Sequence, residues 1–324
     1  MEKSSGPVVN FVSKIPQVVL ERQEPSSSFV SHYSTAPLPA DWHVLIDYTD
    51  QAFIPNSRAR CMFVALEPPE IRKYDLDALA AFGCVLSADF KYLSRLNNVS
   101  VTSGLLPWRV GLGIESEKVR VNMDFDDLLH AATPSQHVVS VVTSDKALTS
   151  AQRQRLRLVE YLDSRLPEMQ IYGRGFDLLD DKADALIASK YHLALENCFQ
   201  RHFWTEKLSD PIMMRNVTFY SGRNAWQADF SGSPAIVEVD IYAKRRTYEV
   251  IRKTLDQDVY ESCSSELEAN RLAVMRSMNL HSVVFRKILA LGDRPTRQGG
   301  EYVHIPQHRR FRDRMFSQLS PRSD

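Results

Sequence analysis

Short apolar runs recur along the chain and alternate with stretches of helical spacing. In the first half, buried strands are predicted at 43–48, 61–66 and 83–88. The stretch 74–82 carries apolar residues at helical intervals and predicts a helix between the last two strands. Residues 21–41 are rich in Pro and Ser and predict a long surface loop. The first half therefore has the pattern of an α/β unit.

A polar link over 124–136 precedes a second series of strands and helices. The predicted strands of this series are 138–144, 169–176, 191–197, 217–222 and 235–242. Helical stretches separate most of them, notably 150–166 and 204–214. Strands that are apolar on both faces and alternate with helices predict a parallel, doubly wound sheet. Two such sheets in one chain predict an α/β fold of two domains with a cleft between them.

The composition narrows the classes of function. The chain has 324 residues, with 40 Lys and Arg against 40 Asp and Glu, so its formal net charge is zero. This balance does not favour nucleic-acid binding, and the length is sufficient for two domains. The cysteines are scattered, without a CxxC pair or a His at metal-ligand spacing, which predicts neither disulfides nor a zinc site. The sequence has no signal-peptide pattern and no long apolar run, so a cytoplasmic location is expected.

The segment 190–210 joins a predicted strand, a short polar loop and a helix that opens on Thr205, Glu206 and Lys207. In parallel sheets, ligands bind beyond the carboxyl ends of the strands, where helix N-termini present free N–H groups. Thr205 is a suitable N-cap, whereas Lys207 in the first turn opposes the helix dipole, and a bound phosphate would relieve that misfit. Glu206 could accept hydrogen bonds from sugar hydroxyls. The alternative is a solvated Glu–Lys pair on a surface helix.

Several linked motifs follow one another in the second half of the chain. They are IYGRGF (171–176), DDKADAL (180–186), YHLALEN (191–197), FWTEKLSD (203–210) and FYSG (219–222). In this order they resemble the donor-binding domain of the glycosyltransferase family 10 fucosyltransferases. Further similar stretches are VSVVTSDK, RLRLVEYL and LEANRLAVMRSMNLHSVVFRKIL on the donor side, and VNFVSKIP, FVALEPPEIRKY and GLLPWRVG near the N-terminus.

The resemblance extends from about residue 8 to residue 290 and implies a GT-B architecture, in which two Rossmann-like domains face each other across a cleft. It implies inverting transfer of fucose from GDP-fucose to a hydroxyl of a glycan acceptor. The implied domains are an N-terminal acceptor-side domain (1–136), a C-terminal donor-binding domain (137–292) and a basic C-terminal tail (293–324). The Arg-rich stretch 308–319 could lie on the inner membrane face as a peripheral contact. A solvated helix or a disordered end is the favoured alternative for it.

An acidic residue closes the strand predicted at 61–66. Glu67 is followed by Pro68 and Pro69, which stiffen the chain immediately after it. It falls where the family carries the acid of its EPP or ESP motif, so the resemblance implies that Glu67 is the general base. Glu70 is the second candidate for this role. The alternative for Glu67 is a structural hydrogen bond to backbone N–H groups at a turn.

The departing diphosphate requires positive groups. The donor-binding residues implied by the resemblance are Arg155, Arg174, Asn197, Glu206 and Lys207. Arg174 lies between glycines that would let its backbone and guanidinium approach a phosphate, although many family members carry His there. Glu206 corresponds to the residue that binds the nucleotide ribose, and Asn197 either contacts the fucose or caps the loop. For Arg155 and Arg157, a solvated helix face is an equal alternative.

Two features limit the resemblance. The DFD at 124–126 is similar to a metal-binding motif of another glycosyltransferase fold, but it lies in the predicted link, so no obligatory metal or cofactor is expected. Pro211 directly follows Asp210, where the family continues with a small-residue stretch and LPxYYGxPN. Two alternatives therefore stay open: a catalytically weak relative that binds nucleotide-sugar or glycan, and a transferase for a different GDP-sugar. The presence of Glu67 argues against the first, because a binding module needs no base.

Overall fold

The computed structural model describes residues 6–48, 51–54, 57–115, 118–145, 147, 150–295, 300–305 and 307–308. Contacts within the chain divide it into two units. Of the described residues, the first unit comprises those within 6–17, 26–102 and 285–308, and the second comprises those within 18–25 and 103–284. Strands and helices are numbered in chain order.

The first unit is built on a parallel sheet of six strands in the order β2-β1-β3-β5-β7-β8. The elements before residue 102 are β1 (Val8–Val12), α1 (Gln17–Glu21), β2 (Val30–Ser34), β3 (Trp42–Ile46), β4 (Gln51–Ile54), β5 (Cys61–Ala65), β6 (Lys73–Tyr74), α2 (Leu76–Ala80), β7 (Cys84–Ser87) and β8 (Val99–Val101). Every residue of β3, β5 and β7 is buried, as expected for inner strands of a parallel sheet. These strands and α2 confirm the predicted elements of the first half.

An edge strand replaces part of the predicted surface loop at 21–41. β2 pairs in parallel with β1, so that Val30 lies opposite Val8 and Ser34 opposite Val12. The loop prediction was wrong here because an edge strand needs little burial. The side chains of β2 are half-buried or exposed, and no apolar run marks them in the sequence.

The second unit contains a parallel sheet of five strands in the order β12-β11-β13-β14-β15 and an antiparallel pair, β9 and β10. Its elements are β9 (Leu112–Glu115), β10 (Lys118–Val121), α3 (Phe125–Leu129), β11 (Gln136–Val142), α4 (Ser150–Asp163), β12 (Met169–Tyr172), α5 (Lys182–Ala188), β13 (Ser189–Ala194), α6 (Glu206–Met213), β14 (Val217–Tyr220), β15 (Ile236–Glu238), α7 (Lys244–Asp256), α8 (Val259–Ser262) and α9 (Ser264–Arg276). α10 (Leu280–Leu291) begins in this unit and ends in the first.

Successive side chains of the central strands enter two different cores. On β13, Leu193 packs in the core that contains Leu158 of α4 and Ile251 of α7, whereas Ala194 packs in the core that contains Leu208 of α6. The sheet therefore has helices on both faces, which explains why its strands are apolar throughout. With the parallel sheet of the first unit, this confirms the predicted α/β fold of two Rossmann-like domains.

The two units differ from the predicted domain boundaries. Residues 103–136 belong to the second unit, because Trp108 and Val110 pack in the same core as α6. The guanidinium of Arg22 donates a hydrogen bond to the carbonyl oxygen of Val110 at 2.7 Å, and the segment 18–25 lies with this unit as well. The predicted N-terminal domain, 1–136, is therefore divided between the two units, with residues 18–25 and 103–136 in the second.

The chain returns to the first unit within α10. The ring of Phe285 stacks on that of Phe29 with centroids 4.4 Å apart, so the end of the predicted donor domain lies in the first unit. β16 (Glu301–His304) then pairs with β4, and β17 (Gln307–His308) pairs with β6. Part of the predicted tail thus belongs to two small sheets, and the Arg-rich residues from 309 onward lie outside the described residues. Among the helices that are described, none has the length and apolar character required to cross a membrane.

Candidate active site

The carboxyl ends of β11 and β13 are neighbours at the centre of the second unit's sheet, because these strands pair in parallel. After β11 the chain passes to β12 on one side and then to β13 on the other. In open α/β sheets, ligands bind beyond the strand ends at such a change of direction. Ser144 follows β11, and Glu196 and Asn197 follow β13. The predicted donor site is built around these residues.

The N-terminus of α6 supplies Glu206 and Lys207. Thr205 is the N-cap, as predicted, and its hydroxyl accepts a hydrogen bond from the backbone N–H of Lys207 at 3.2 Å. The Nζ of Lys207 lies 2.8 Å from Oε1 of Glu206 and 3.9 Å from Oε2 of Glu196. The side chains of Lys207 and Glu206 are only 28% and 24% exposed. The Glu–Lys pair that was the alternative at this position is therefore present, but it is largely buried and has the carboxylate of Glu196 beside it as well.

Burial opposes the charges of Glu206 and Lys207, but their attraction outweighs it. Burial disfavours the carboxylate of Glu206, yet Lys207 and, less strongly, Lys182 lower its pKa to about 2. Burial also disfavours the ammonium of Lys207, yet Glu196 and Glu206 raise its pKa above the ordinary value. Both side chains are therefore charged at neutral pH.

Glu196 is a buried acid that the sequence analysis did not single out. It is 2% exposed, and its Oε1 accepts hydrogen bonds from the backbone N–H of Thr205 (3.2 Å), the hydroxyl of Thr205 (2.7 Å) and the hydroxyl of Tyr220 (3.0 Å). Burial raises its pKa, against the opposing effect of Lys207. A signal was present in the sequence, because Glu196 is a charge inside the apolar run 191–197. A charge in such a place requires partners.

Arg155 lies on α4 and is buried, with 7% of its surface exposed. Its Nη1 donates to Oδ1 of Asn197 at 2.9 Å, and its Nη2 lies 3.4 Å from the carbonyl oxygen of Ser144. Its buried Nε has no hydrogen-bond partner within the described part of the chain, and burial lowers the pKa of the guanidinium. Arg157 on the same helix is exposed. The solvated helix face that was the alternative for both arginines thus holds for Arg157 alone.

Lys182 supports the start of α6 from a neighbouring helix. Its Nζ lies 3.3 Å from the carbonyl oxygen of Glu206 and 3.2 Å from Oδ2 of the buried Asp210. Asp210 also accepts a hydrogen bond from the backbone N–H of Arg109 at 3.1 Å. Pro211 lies inside α6 and removes one backbone hydrogen bond from the helix. These tertiary contacts hold α6 where its own hydrogen bonds are incomplete.

Arg174 is exposed in a turn between Gly173 and Gly175, whose φ angles are 114° and 85°. A Cβ on Gly173 would lie 1.9 Å from the carbonyl oxygen of Thr143. The carbonyl of Arg174 accepts a hydrogen bond from the backbone N–H of Asp145 at 3.0 Å. The glycines thus let this turn pack against the chain after β11. Unlike Arg155 and Lys207, Arg174 makes no side-chain hydrogen bond or ion pair among the described residues.

In the first unit, Glu67 follows β5 and is half-buried, while Glu70 is exposed. The backbone N–H of Glu67 donates to the hydroxyl of Tyr74 at 3.3 Å. A second acid, Asp47, follows the neighbouring strand β3 and pairs with Arg72. Burial raises the pKa of Asp47 to about 6, with Arg72 opposing this and the charge of Glu67 adding to it. No sequence pattern marks Asp47, because its partners Arg72 and Tyr74 lie on a later part of the chain.

The DFD motif has a structural role. The side chain of Asp124 caps α3 by accepting a hydrogen bond from the backbone N–H of Asp127 at 2.9 Å. The carboxylate of Asp127 in turn accepts a hydrogen bond from the backbone N–H of Asp124 at 3.0 Å. This capping box accounts for Asp124, and Asp126, the second acid of the motif, lies in the first turn of α3, where an acid suits the helix dipole. Within the described ranges, no cluster of three or more His, Cys, Asp or Glu side chains could hold a metal ion.

Comparison with known proteins gives similarities to solved structures at low identity. No protein-family model and no curated protein matches the chain. The chain is similar to a crystal structure of an α1,3-fucosyltransferase with GDP, at 13% identity and a TM-score of 0.49, over 87% of this chain and 94% of that one. It is similar to another α1,3-fucosyltransferase structure at 13% identity and a TM-score of 0.45, over 81% and 82% of the two chains. A third similarity is to WaaG, a glycosyltransferase involved in lipopolysaccharide biosynthesis, at 12% identity and a TM-score of 0.46, over 86% and 98%.

Proposed function

We propose that the protein is an inverting glycosyltransferase that moves fucose from GDP-fucose to a hydroxyl of a glycan acceptor. The observation that carries the proposal is a pair of cations at the carboxyl edge of the second unit's sheet. Arg155 is buried there, and Lys207 lies in the first turn of α6. Fixed cations beside the N-terminus of a helix suit a diphosphate. The resemblance to family 10 motifs supplies the guanosine nucleotide and the fucose.

In the proposed reaction, the acceptor oxygen bonds to the anomeric carbon while the bond from that carbon to the diphosphate breaks. Negative charge grows on the departing diphosphate, and Lys207, Arg155 and Arg174 offset it. Lys207 already lies beside Glu196, and Arg155 is already bonded to Asn197. These two cations therefore need little reorganisation during the step. The ionised Glu206 is proposed to accept hydrogen bonds from the ribose of GDP.

Glu67 is proposed to take the proton of the acceptor hydroxyl. It lies at the carboxyl end of a buried strand, and its backbone N–H is held by Tyr74. Asn197 is proposed to contact the fucose through the part of its amide that does not accept from Arg155. A general base in this role contributes a factor of about 10² to 10⁴ in rate.

A different GDP-sugar donor is the second candidate function. It is favoured by the chain after β14, where the sequence departs from the family pattern. Arg223 adopts a left-handed backbone conformation with φ of 52°, and its guanidinium lies 4.9 Å above the ring of Phe199. A large cation held near the ends of β13 and β14 would alter the space for the donor.

The test is nucleotide release from a panel of GDP-sugars and UDP-sugars, with and without EDTA. GDP-fucose is expected to be the preferred donor. Activity is expected to survive the chelator, because the protein's own cations are proposed to meet the diphosphate charge. Equal turnover of UDP-sugars would contradict the donor assignment. Loss of activity in EDTA that manganese restores would contradict metal independence.

A further inference from the structure

Two acids of the first unit meet at the carboxyl ends of neighbouring strands, and the mechanism above uses only one of them. Asp47 follows β3, and its backbone N–H donates to the carbonyl oxygen of Val64 in β5 at 2.9 Å. Glu67 lies at the end of that same strand. Parallel pairing of β3 with β5 therefore brings both carboxylates to one edge of the sheet.

The loop that follows Glu67 is tied to the side chain of Asp47. Arg72 donates to the carboxylate of Asp47 and, through the same Nη1, to its carbonyl oxygen at 3.2 Å. Tyr74 donates its hydroxyl hydrogen to the other carboxylate oxygen. The same hydroxyl oxygen accepts the backbone N–H of Glu67 at 3.3 Å. A continuous hydrogen-bond chain thus connects Asp47 to the backbone of Glu67.

The charges around Asp47 are not balanced. The groups that act on it or respond to it are Arg72, Tyr74, Tyr92 and Glu67. Arg72 is the cation of this set, and it pairs with Asp47. The Asp47 side chain is only 17% exposed, and the charge of Glu67, beyond the end of the neighbouring strand, adds to the burial that raises the pKa of Asp47. An ordinary loop-anchoring ion pair accounts for Arg72, but it does not require a second acid beyond the end of the neighbouring strand.

From this geometry we infer that Asp47 is a positioning residue for Glu67. It anchors the loop that carries Glu67 through Tyr74 and Arg72, and its negative charge favours transfer of the acceptor proton onto Glu67. The inference rests on the proposed role of Glu67 as the base. Asp47 itself exchanges no proton with the substrate in this scheme.

The first test needs neither donor nor acceptor. The titration of the Asp47 carboxyl is followed by ¹³C NMR in the wild type, in Glu67→Gln and in Glu70→Gln. Removing the charge of Glu67 is expected to lower the pKa of Asp47 by about 0.5 to 1 unit. The matched variant Glu70→Gln removes the same charge from an exposed position and is expected to leave the titration unchanged. An unchanged Asp47 titration in Glu67→Gln would overturn the inference.

The second test uses activity. Asparagine tolerates the left-handed φ of 48° at position 47 and keeps an oxygen that can accept from Tyr74 and Arg72, so Asp47→Asn removes the charge alone. The kcat/KM profile of Asp47→Asn is expected to lie about three- to tenfold below that of the wild type at pH 7.5 and to approach it as the pH falls below about 6, where the Asp47 of the wild type loses its charge as well, while the exposed control Asp77→Asn leaves the profile in place. A profile that does not move in Asp47→Asn would overturn the inference. A wild type that shows the NMR coupling but no transfer would instead overturn the proposed function.

Discussion

Two arginines two positions apart differ in burial and in hydrogen bonding, and only one of them is suited to the proposed donor site. Arg155 is buried and bonded to Asn197, whereas Arg157 points to solvent from the same helix. Arg155→Ala is expected to weaken GDP-fucose binding by about 1.5 to 3 kcal/mol, because a hydrogen-bonded charge is lost from a desolvated site. Arg157→Ala is expected to bind the donor as the wild type does.

Calorimetry with GDP-fucose distinguishes the two variants, and thermal unfolding of the free proteins checks that both fold. Equal affinities for the two variants, with the Arg155→Ala protein folded, would remove Arg155 from the donor site.

For single residues, roles that depend on the neighbouring backbone could be predicted from the sequence, whereas contacts with side chains far away along the chain could not. Thr205 was predictable as an N-cap because a cap depends on the neighbouring backbone alone. Asp47 and Lys182 were missed because each acquires its role from side chains brought near by folding. Glu196 is intermediate, since its charge inside an apolar strand was visible and its partner Lys207 was already a candidate.

At the scale of elements, α6 depends on its first residues. The Thr205 hydroxyl caps the helix and also donates to the buried Glu196 at 2.7 Å. Thr205→Val is expected to lower the free energy of unfolding by about 1 to 3 kcal/mol, because the cap is lost and Glu196 loses a donor. Thr205→Ser keeps the hydroxyl and is expected to remain close to the wild type.

Urea unfolding of the wild type and both variants measures the difference. A Thr205→Val protein as stable as the wild type, together with a destabilised Thr205→Ser protein, would mean that the methyl group of Thr205, and not its hydroxyl, carries the stability.

The strands and their parallel arrangement could be predicted because apolar runs on both faces are a local property of the sequence. The points at which the chain passes from one unit to the other could not be predicted from the sequence. Arg22 bonds to Val110, which lies 88 positions later, and no pattern around either residue indicates that pairing. The edge strand β2 was not predicted because its side chains are half-buried or exposed. A strand in such a place needs few apolar residues, so no apolar run marks it in the sequence.

At the scale of the whole molecule, a buried histidine predicts sensitivity to acid. His43 lies in β3 between Asn10 and Cys61 of the adjacent strands, and neither of its ring nitrogens has a hydrogen-bond partner within the described ranges. Burial lowers its pKa from the ordinary 6.5 to about 4. The unfolded chain thus binds this proton more readily than the folded protein. The contribution to stability is complete above pH 6.5 and falls by about 3 kcal/mol as the pH drops to 4.

Urea unfolding at pH 7.5 and pH 5 (roughly the two sides of an ordinary histidine titration) tests this expectation. His43→Leu should reduce the loss of stability on acidification, whereas His32→Gln, at an exposed position of β2, should not. The same pH dependence in His43→Leu and the wild type would assign the acid sensitivity to other groups.

We propose that the protein transfers fucose with Glu67 as the base, and measuring both GDP-fucose binding by calorimetry and product formation in two variants tests this proposal. Glu67→Gln should retain donor affinity and lose about two to four orders of magnitude in transfer rate, because the amide keeps the shape but cannot take the proton. Lys207→Ala should lose both affinity and rate, since its charge is proposed to hold the donor and the departing diphosphate. A Glu67→Gln protein that transfers at the wild-type rate would contradict the account, and a loss in Glu70→Gln instead would move the base to Glu70.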